Sequence, residues 1–395
     1  MKKLLNEKWL VGFLGLIAAV PALSTDMYLA AMPLIAEQWG VSQSRVGLSM
    51  VMWFISFSIC LLLCGPISDK YGRRPVLLTG LSLFTLSSFL CASAGNVVQL
   101  ILFRMLQGAS AAAPGSMGMA ICRDRYEGDR RKHVLAYISI ILSITPMLAP
   151  MIGAMLLKYA HWRAIFVVQG ALTLGTLSLT VVFNETLRSP LSEPFYKLLG
   201  RYLKLLSNTN YLLCNNAMGL LAGPFFGYLG FSSIVYITIF GLSEQMFSLF
   251  FGLNAMVSML GAFTCTRLTR YISDVRLITA SLFGYAACGL GMLLLGSVHY
   301  LYFAVFMAGI SYCLGISRPL SNHLILEQVQ TDIGSASSFI VFYQFLVGAI
   351  SMAITTADWG RPILVFGVLA FGVPVVVLML WPLLIRRTYR VKSSA

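Results

Sequence analysis

The chain has 395 residues, of which 58% are hydrophobic and only 11% are charged, and its formal net charge is +14. Soluble domains carry roughly 25% charged residues, so the composition excludes an ordinary soluble protein and leaves little room for a separate soluble domain. It indicates an integral membrane protein that is embedded in a lipid bilayer.

Twelve apolar runs follow one another along the chain. Each is far longer than the 9–11 residues of a membrane β-strand, which predicts an all-α integral membrane fold with twelve transmembrane helices. The runs cover about 10–35, 46–66, 76–94, 97–121, 134–157, 163–183, 211–238, 245–267, 276–296, 300–322, 334–356 and 362–385.

The basic residues sort to one side of the predicted membrane. With a cytoplasmic N-terminus, 22 of the 28 lysines and arginines fall at cytoplasmic ends and loops. Four fall outside (Arg45, Lys158, Arg163 and Arg361), and Arg104 and Arg318 fall within spans. The pattern follows the positive-inside rule, so we expect both termini in the cytoplasm and no nucleic-acid partner.

A long polar interval near the midpoint of the chain separates two sets of six spans. We therefore predict an N-terminal half at 1–183, a cytoplasmic connecting loop with a short surface helix at 184–210, and a C-terminal half at 211–395. Two six-span halves joined by a long connector are typical of transporters built from parallel repeats.

A short charged turn, Gly65–Pro75, lies between the second and third runs. Two long apolar runs flank it, which predicts a tight hairpin loop at a membrane face. The turn holds more charge than solubility requires, so we assign its glycines and charges to conformational gating: Gly65, Asp69, Gly72, Arg73 and Arg74.

Asp26 is the only acidic residue deep within the first half. Intramembrane acids usually face a cavity and serve a function, and low-polarity surroundings favour the protonated carboxyl group, so Asp26 is a candidate proton carrier. The alternative is that Asp26 lies near enough to the outer interface to be solvated.

Arg104 is the predicted partner of Asp26. It lies about seven residues, or ~10 Å, from the outer end of its span, and Asp26 about eleven residues, or ~16 Å, from the outer end of the first span. The two side chains are thus expected at similar depth, where a proton and a substrate would compete for Asp26. Alternatively, Arg104 anchors Gln107 and backbone carbonyl groups.

Two further groups of residues complete the predicted site. Pro146, Pro150 and Gly153 in the fifth span indicate a helix that kinks and packs closely, which we assign to gating. Aromatic and polar residues at mid-span are predicted to line a large, mostly apolar substrate cavity together with Asp26 and Arg104: Tyr28, Met50, Trp53, Phe54, Gln107, Phe225, Tyr228, Asn254, Tyr343 and Gln344.

Taken together, these segments resemble the major facilitator superfamily. Gly65–Arg74 matches the family pattern G-x-x-x-D-x-x-G-R-R between helices two and three, and Arg104–Gly108 resembles the R-x-x-Q-G of helix four. Pro146–Gly153 resembles the helix-five antiporter motif of drug exporters, although it lacks the leading Gly-Pro and the paired glycines.

Within that superfamily, two segments are similar to the Bcr/CflA drug-resistance subfamily. Asp26–Leu29 followed by Pro33 resembles D-M-Y-L-P-x-x-P, with Ala30 where the subfamily often has proline. Cys122–Arg125 resembles the segment that ends helix four. The resemblance implies a transporter that alternates between inward- and outward-open states and exchanges drugs for protons, with Asp69 capping contacts between the halves.

The resulting prediction is proton-coupled efflux of drugs or other small amphipathic molecules across a bacterial cytoplasmic membrane by a monomer. The proton gradient is the energy source, with no cofactor or metal. Alternatives are a dedicated exporter of one metabolite or siderophore, and an uncoupled carrier. An enzyme or receptor is disfavoured because the sequence shows no nucleophile–base pair, metal-ligand cluster or large extramembrane domain, and a channel because it shows no repeated pore loop.

Overall fold

The structure is a computed structural model that describes residues 7–187 and 195–393, with side chains for 10–187 and 200–387. All regular secondary structure in these ranges is helical. The chain divides into two compact units, Met1–Leu198 and Leu199–Ala395. The division falls within the predicted connecting segment 184–210, of which residues 188–194 lie outside the described part.

The first unit contains the first six membrane spans. Its helices are α1 Glu7–Asp26, a 3₁₀ turn Leu29–Ala31, α2 Met32–Trp39, α3 Gln43–Tyr71, α4 Arg73–Ser93, α5 Val97–Arg125, α6 Gly128–Tyr159 and α7 Arg163–Val182.

The second unit contains the other six spans. Its helices are α9 Thr209–Leu220, α10 Ala222–Ser233, a π-helical segment Ile234–Ile239, α11 Glu244–Leu268, α12 Asp274–Leu295, α13 Tyr300–Leu326, α14 Ile333–Thr356 and α15 Pro362–Ser393. The predicted connector helix is present as α8, Phe195–Leu206, and the Arg201 guanidinium lies 3.7 Å from the Asp332 carboxylate just before α14.

The described residues contain twelve helical segments that are long and apolar enough to cross a bilayer, which confirms the predicted number. Many large apolar side chains on these helices are exposed, including Leu86, Met155, Phe263 and Met379. Exposed apolar faces suit helices whose outer surface contacts lipid rather than water.

The two units repeat one packing pattern. In the first unit α3 and α4 both pack on α5, α4 packs on α7, and α1 packs on α6. In the second unit α11 and α12 both pack on α13, α12 packs on α15, and α10 packs on α14. The fourth span of the first unit, α5, therefore corresponds to α13, and the first span corresponds to α9 and α10.

The first span of each unit is interrupted near its middle. The continuous first span predicted at 10–35 is instead broken between Asp26 and Met32, just before Pro33. In the second unit the helix breaks at Leu221, three residues before Pro224. Proline lacks the backbone N–H that a continuous helix would use and fits best in the first turn of a new helix, which accounts for both positions.

Candidate functional site

Asp26 is the last residue of α1, at the break in the first span. Its side chain is buried, and only 4% of the residue is exposed. The Thr25 hydroxyl lies 2.8 Å from Asp26 Oδ1, within hydrogen-bond distance. The structure thus places a carboxyl group inside the helix bundle, at a point where the backbone leaves its helical path.

Arg104 lies on α5 and contacts both sides of that break. Its Nη1 donates to the Ser24 carbonyl oxygen at 3.0 Å, and its guanidinium carbon lies 4.7 Å from the centre of the Tyr28 ring. Arg104 has no exposed surface. Its charge is stabilised by carbonyl groups and aromatic faces, both of which favour a buried guanidinium.

Asp26 and Arg104, which the sequence places at similar depth, do not contact each other in this structure. No ion pair or hydrogen bond joins these two side chains within the described part of the chain, and Arg104 instead bonds Gln107 Oε1 and the Ser24 carbonyl. The second alternative, an anchor for Gln107 and backbone carbonyls, matches these contacts. The reason lies in the helix break, because the last carbonyl groups of α1 have no partner in their own helix and require donors.

A polar network continues from Arg104 to α4 and α7. Gln107 Nε2 donates to Ser88 Oγ at 2.8 Å and to Gln169 Oε1 at 3.1 Å, and Gln169 Nε2 lies 3.3 Å from the Ser24 carbonyl oxygen. Sequence reasoning missed Ser88 and Gln169. A glutamine among the apolar residues of α7 was the available signal, because a buried amide needs hydrogen-bond partners.

The aromatic residues predicted at mid-span in the first unit are packed in its interior. Tyr28, Trp53 and Phe54 are each at most 2% exposed, and the Tyr28 hydroxyl is 2.8 Å from Ser49 Oγ. Met50 is also buried and accepts a hydrogen bond from Arg104 through its sulfur. These residues surround the Arg104 network, so in this structure they form its walls rather than an open cavity.

Of the predicted gating residues in α6, Gly153 has a direct connection to the break. A Cβ atom at this position would overlap the Met27 carbonyl oxygen, so only glycine allows α6 to approach the backbone next to Asp26. Pro146 and Pro150 lie within α6, which runs through both as one helix. The tight approach at Gly153 fixes the position of the segment that follows Asp26.

The charged turn differs from the predicted hairpin loop. The second span, predicted to end at 66, continues as helix to Tyr71, and the next helix begins at Arg73, so Gly72 alone connects them. Gly65 and Asp69 therefore lie on α3. The connection is possible because Gly72 adopts a φ of +103°, a conformation that L side chains rarely take.

Arg73 joins the ends of three helices. Its side chain lies 2.6 Å from Asp69 on α3 and 2.8 Å from Asp124 at the end of α5, and it also donates to Ser68 Oγ at 2.6 Å. Asp124 belongs to the segment that resembles the end of helix four. The predicted motif residues therefore form a compact ion-pair cluster within the first unit.

Glu185, just after α7, caps the N-terminus of α4. Its two carboxylate oxygens accept from the backbone N–H groups of Arg73 and Arg74, both at 3.0 Å. Burial alone raises the pKa of this carboxyl, but the backbone donors outweigh burial and hold the pKa of Glu185 below its usual range. Sequence reasoning did not assign this residue a role, and Arg74 extends the contact by donating to the Val181 carbonyl at 2.6 Å.

In the second unit, Phe225 and Gln344 line one cavity. Its wall includes Arg318, which the sequence placed within a span without a role. Gln344 Oε1 accepts from Arg318 Nη2 at 3.2 Å. The structure therefore brings two predicted substrate residues together around an unassigned arginine.

The other three predicted substrate residues of the second unit lie apart from the lining of this cavity. Tyr228 is fully buried and stacks on Phe251 with ring centres 5.7 Å apart. Asn254 is 6% exposed, and its Oδ1 has no hydrogen-bond partner within the described residues. Tyr343 is half-buried, and its ring occupies the space that a side chain at Gly219 would need.

Comparisons with known proteins agree on one family. The sequence pattern of the Major Facilitator Superfamily matches residues 14–352. The uncharacterized MFS-type transporter YdgK of Bacillus subtilis is 30% identical over 87% of this chain and 88% of its own length. A bicyclomycin resistance protein homolog of Haemophilus influenzae is 27% identical over 85% and 86% of the two chains. Multidrug resistance protein D of Escherichia coli is 29% identical over 70% and 69%.

The fold agrees with solved transporter structures. A mutant of the nucleoside transporter NupG matches with a TM-score of 0.79 at 13% identity over 96% of this chain and 100% of its own. A D-xylose–proton symporter matches with a TM-score of 0.71 at 14% identity over 94% and 96%. At such identities the likeness concerns the fold alone. This chain is a multi-pass membrane transporter of the Major Facilitator Superfamily.

Proposed function

We propose that the chain exports drugs or other small amphipathic molecules in exchange for protons across a bacterial cytoplasmic membrane. The names of relatives support this direction, since a bicyclomycin resistance protein homolog and a multidrug resistance protein each match two thirds or more of the chain. All three relatives reported above are bacterial. The protein acts as a monomer, and the proton gradient supplies the energy.

The observation that carries the proposal is the position of Asp26. Its carboxyl group is buried at a helix break, has a hydroxyl as its hydrogen-bond partner, and forms no ion pair within the described residues. A carboxyl group in such surroundings is strongly affected by any cation or polar molecule that approaches it. Intramembrane acids at interrupted helices are typical of transport sites.

The proposed cycle couples the charge of Asp26 to substrate binding. In the inward-open state Asp26 releases its proton to the cytoplasm, and the carboxylate then favours a cationic or polar substrate. After the change to the outward-open state, protonation of Asp26 from outside removes that attraction and the substrate leaves. Each cycle thereby moves one substrate outward and one proton inward.

Arg104 acts in this cycle as a positioning residue. It holds the Ser24 carbonyl, two residues before Asp26, and packs on the Tyr28 ring, two residues after it. Movement of this segment would change how far the Asp26 carboxyl extends into the transport path. Arg104 therefore influences the exchange of proton and substrate through the backbone and not through an ion pair with Asp26.

Transport by reconstituted protein tests the proposal. Proteoliposomes with an imposed pH gradient should move cationic drugs from a broad panel against their own gradient, and a protonophore should abolish this movement. Asp26→Asn should bind cationic drugs more weakly and fail to concentrate them. Accumulation that survives collapse of the proton gradient would contradict coupling, and transport of a single compound from the panel would indicate a dedicated exporter.

A further inference from the structure

Arg318 lies well inside the span formed by α13, away from the end of the helix. It is eight residues from the end of α13, or about 12 Å along the helix axis. Its guanidinium donates a hydrogen bond to Gln344. This residue is eleven residues, or about 16 Å, from the start of α14. The side chain therefore reaches towards the middle of the membrane instead of extending back to the nearer interface.

No acidic side chain accompanies Arg318 at this depth. The acids of the second unit at 211–395 all stand at helix ends or in turns: Glu244, Asp274, Glu327, Asp332 and Asp358. Asp332 contacts Arg201, and Glu327 contacts His323. The charge of Arg318 is therefore not neutralised by a carboxylate from its own unit, although intramembrane cations normally have such a partner.

The hydrogen-bonding capacity of Arg318 is largely unused. A guanidinium has five N–H donors, and within the described residues Gln344 Oε1 is the one acceptor that this guanidinium bonds. The Gln344 amide is itself oriented, because its Nε2 donates to Asn322 Oδ1 at 3.1 Å. The carbonyl oxygen of Gln344 thus faces Arg318. The remaining N–H donors of the Arg318 guanidinium are available to another group.

These donors face a cavity and not a sealed interior. Arg318 is exposed and lines the cavity described above, together with Ser317 and Ser321. The opposite wall is apolar and includes Leu221 at the helix break and Phe225. A few polar groups beside an apolar wall are the arrangement that fixes the orientation of a small ligand.

We propose that this cavity, defined by Arg318, Asn322, Gln344, Leu221 and Phe225, is an anion-recognition site for the transported molecule. The ligand class is a zwitterion, which carries the cationic group that the proposed cycle favours and a carboxylate or similar anionic oxygen group that accepts from Arg318 while its apolar body packs on Leu221 and Phe225. Arg318 suits this role because a planar guanidinium can donate two parallel hydrogen bonds to a carboxylate. The assignment rests on the proposed export function and names one class of its cargo.

Equilibrium binding with a matched set of probes tests the site. Purified full-length protein in detergent at pH 7.5 is titrated with 4-phenylbutyrate, 4-phenylbutanol and 4-phenylbutylamine, which share one apolar body and differ in charge. We expect the anion to bind at least about tenfold more tightly than the alcohol, the size of one good charge-assisted contact. Equal affinity of the anion and the alcohol would overturn the proposal.

Three variants assign the preference to this cavity. Arg318→Gln should abolish the anion preference, and Gln344→Glu should do the same because it places a carboxylate beside an intact arginine. Arg276→Gln, which removes an exposed positive charge at the start of α12, should leave the preference unchanged and controls for net charge. Preference that survives in either cavity variant that folds would place anion recognition elsewhere and overturn the assignment, so the test stands even if one of the two variants fails to fold.

A lipid headgroup offers the same anionic chemistry, so the titration is repeated with added phosphatidylglycerol. Unchanged affinity for 4-phenylbutyrate supports a substrate site, whereas competition would assign the cavity to lipid and overturn the proposal. The Asp26→Asn variant distinguishes failure of the anion-site proposal from failure of the proposed proton-coupled export. The anion preference should persist there while proton exchange is lost, since binding to Arg318 does not require Asp26.

Discussion

The fourth span of each unit carries one arginine far from its helix ends, and these two arginines have opposite surroundings. Arg104 on α5 has no exposed surface and bonds the Ser24 carbonyl, Gln107 and the Met50 sulfur. Arg318 on α13 is exposed to a cavity and bonds Gln344. The two equivalent helices therefore each hold an arginine. The donors of Arg104 are used by its own unit, whereas most donors of Arg318 are available.

This difference shows that the hydrogen-bond partners of an intramembrane arginine indicate its function better than its charge does. A guanidinium whose donors are used by its own unit stabilises local structure, whereas one with unused donors in an open cavity is suited to a ligand. From sequence alone both residues are merely arginines within apolar runs. We therefore expect substitution of Arg104 to affect folding and coupling, and substitution of Arg318 to affect ligand binding.

The largest expected effect comes from Arg104→Leu. Removing this side chain leaves the Ser24 carbonyl and Gln107 without their charged donor inside the bundle, which should lower the free energy of unfolding by about 2–4 kcal/mol. The matched variant Arg318→Leu should lower it by less than about 1 kcal/mol, because few protein partners are lost. Thermal unfolding in detergent measures both, and equal destabilisation would contradict the distinction between the two arginines.

A second effect is expected from Gly153→Ala, which perturbs the backbone beside Asp26. Because the new methyl group would overlap the Met27 carbonyl oxygen, α6 must move away, at a cost of about 1–3 kcal/mol. Substrate transport should slow more than substrate binding weakens. Gly175→Ala on α7 is the control, since it meets open space and should leave transport unchanged; slowing by both variants alike would contradict a specific role for the close approach.

A smaller effect is expected from Gln169→Leu, which removes the link between α7 and the Arg104 network. Gln107 loses an acceptor and the Ser24 carbonyl loses one of its donors, so stability should fall by about 1–2 kcal/mol. The double variant with Gln107→Leu should cost less than the sum of the two single changes. Strict additivity would show that the two glutamines do not act as one network.

The smallest effect is expected from Glu185→Gln at the surface. The neutral amide weakens the cap on α4 and should cost at most about 1 kcal/mol. Since the pKa of Glu185 is lowered in the folded protein, its contribution is present above the unfolded pKa, about 4.3, and is lost as pH falls through the folded pKa. The stability difference from native protein should therefore be constant above about pH 5 and shrink in stronger acid.

Glu127→Gln provides the control for that pH dependence. Glu127 also stands before a helix, α6, but makes no side-chain capping bond there. Its substitution should change neither stability nor the acid limb of the pH profile. If the difference between native and Glu185→Gln protein grew on acidification, the inferred direction of the pKa shift would be wrong.

The sequence allowed much of the fold to be predicted, because twelve apolar runs of sufficient length have few alternatives in a membrane. Helix ends were less predictable. The break after Asp26 lies within an apolar run, where Pro33 alone marks it, and the second span continues past the apolar segment because Gly72, not Pro66, ends the helix.

The site was predictable in residue type but not in contacts. Asp26 and Arg104 stood out as charges inside apolar runs, yet their spacing could not reveal that Arg104 bonds the Ser24 carbonyl. That contact depends on the helix break, which exposes carbonyl groups that a continuous helix would satisfy. Arg318 was visible as a third intramembrane charge, but its meaning depends on the absence of a nearby acid, which only helix packing defines.

Ligand-induced proton release tests the central claim that Asp26 is the coupling group most directly. Purified native protein in weakly buffered detergent near neutral pH is mixed with a transported cationic drug, and the released protons are counted with a pH indicator. The account predicts release from native protein, none from Asp26→Asn, and undiminished release from the control Asp129→Asn, whose exposed side chain pairs with Lys132. Equal release from native and Asp26→Asn protein would contradict it.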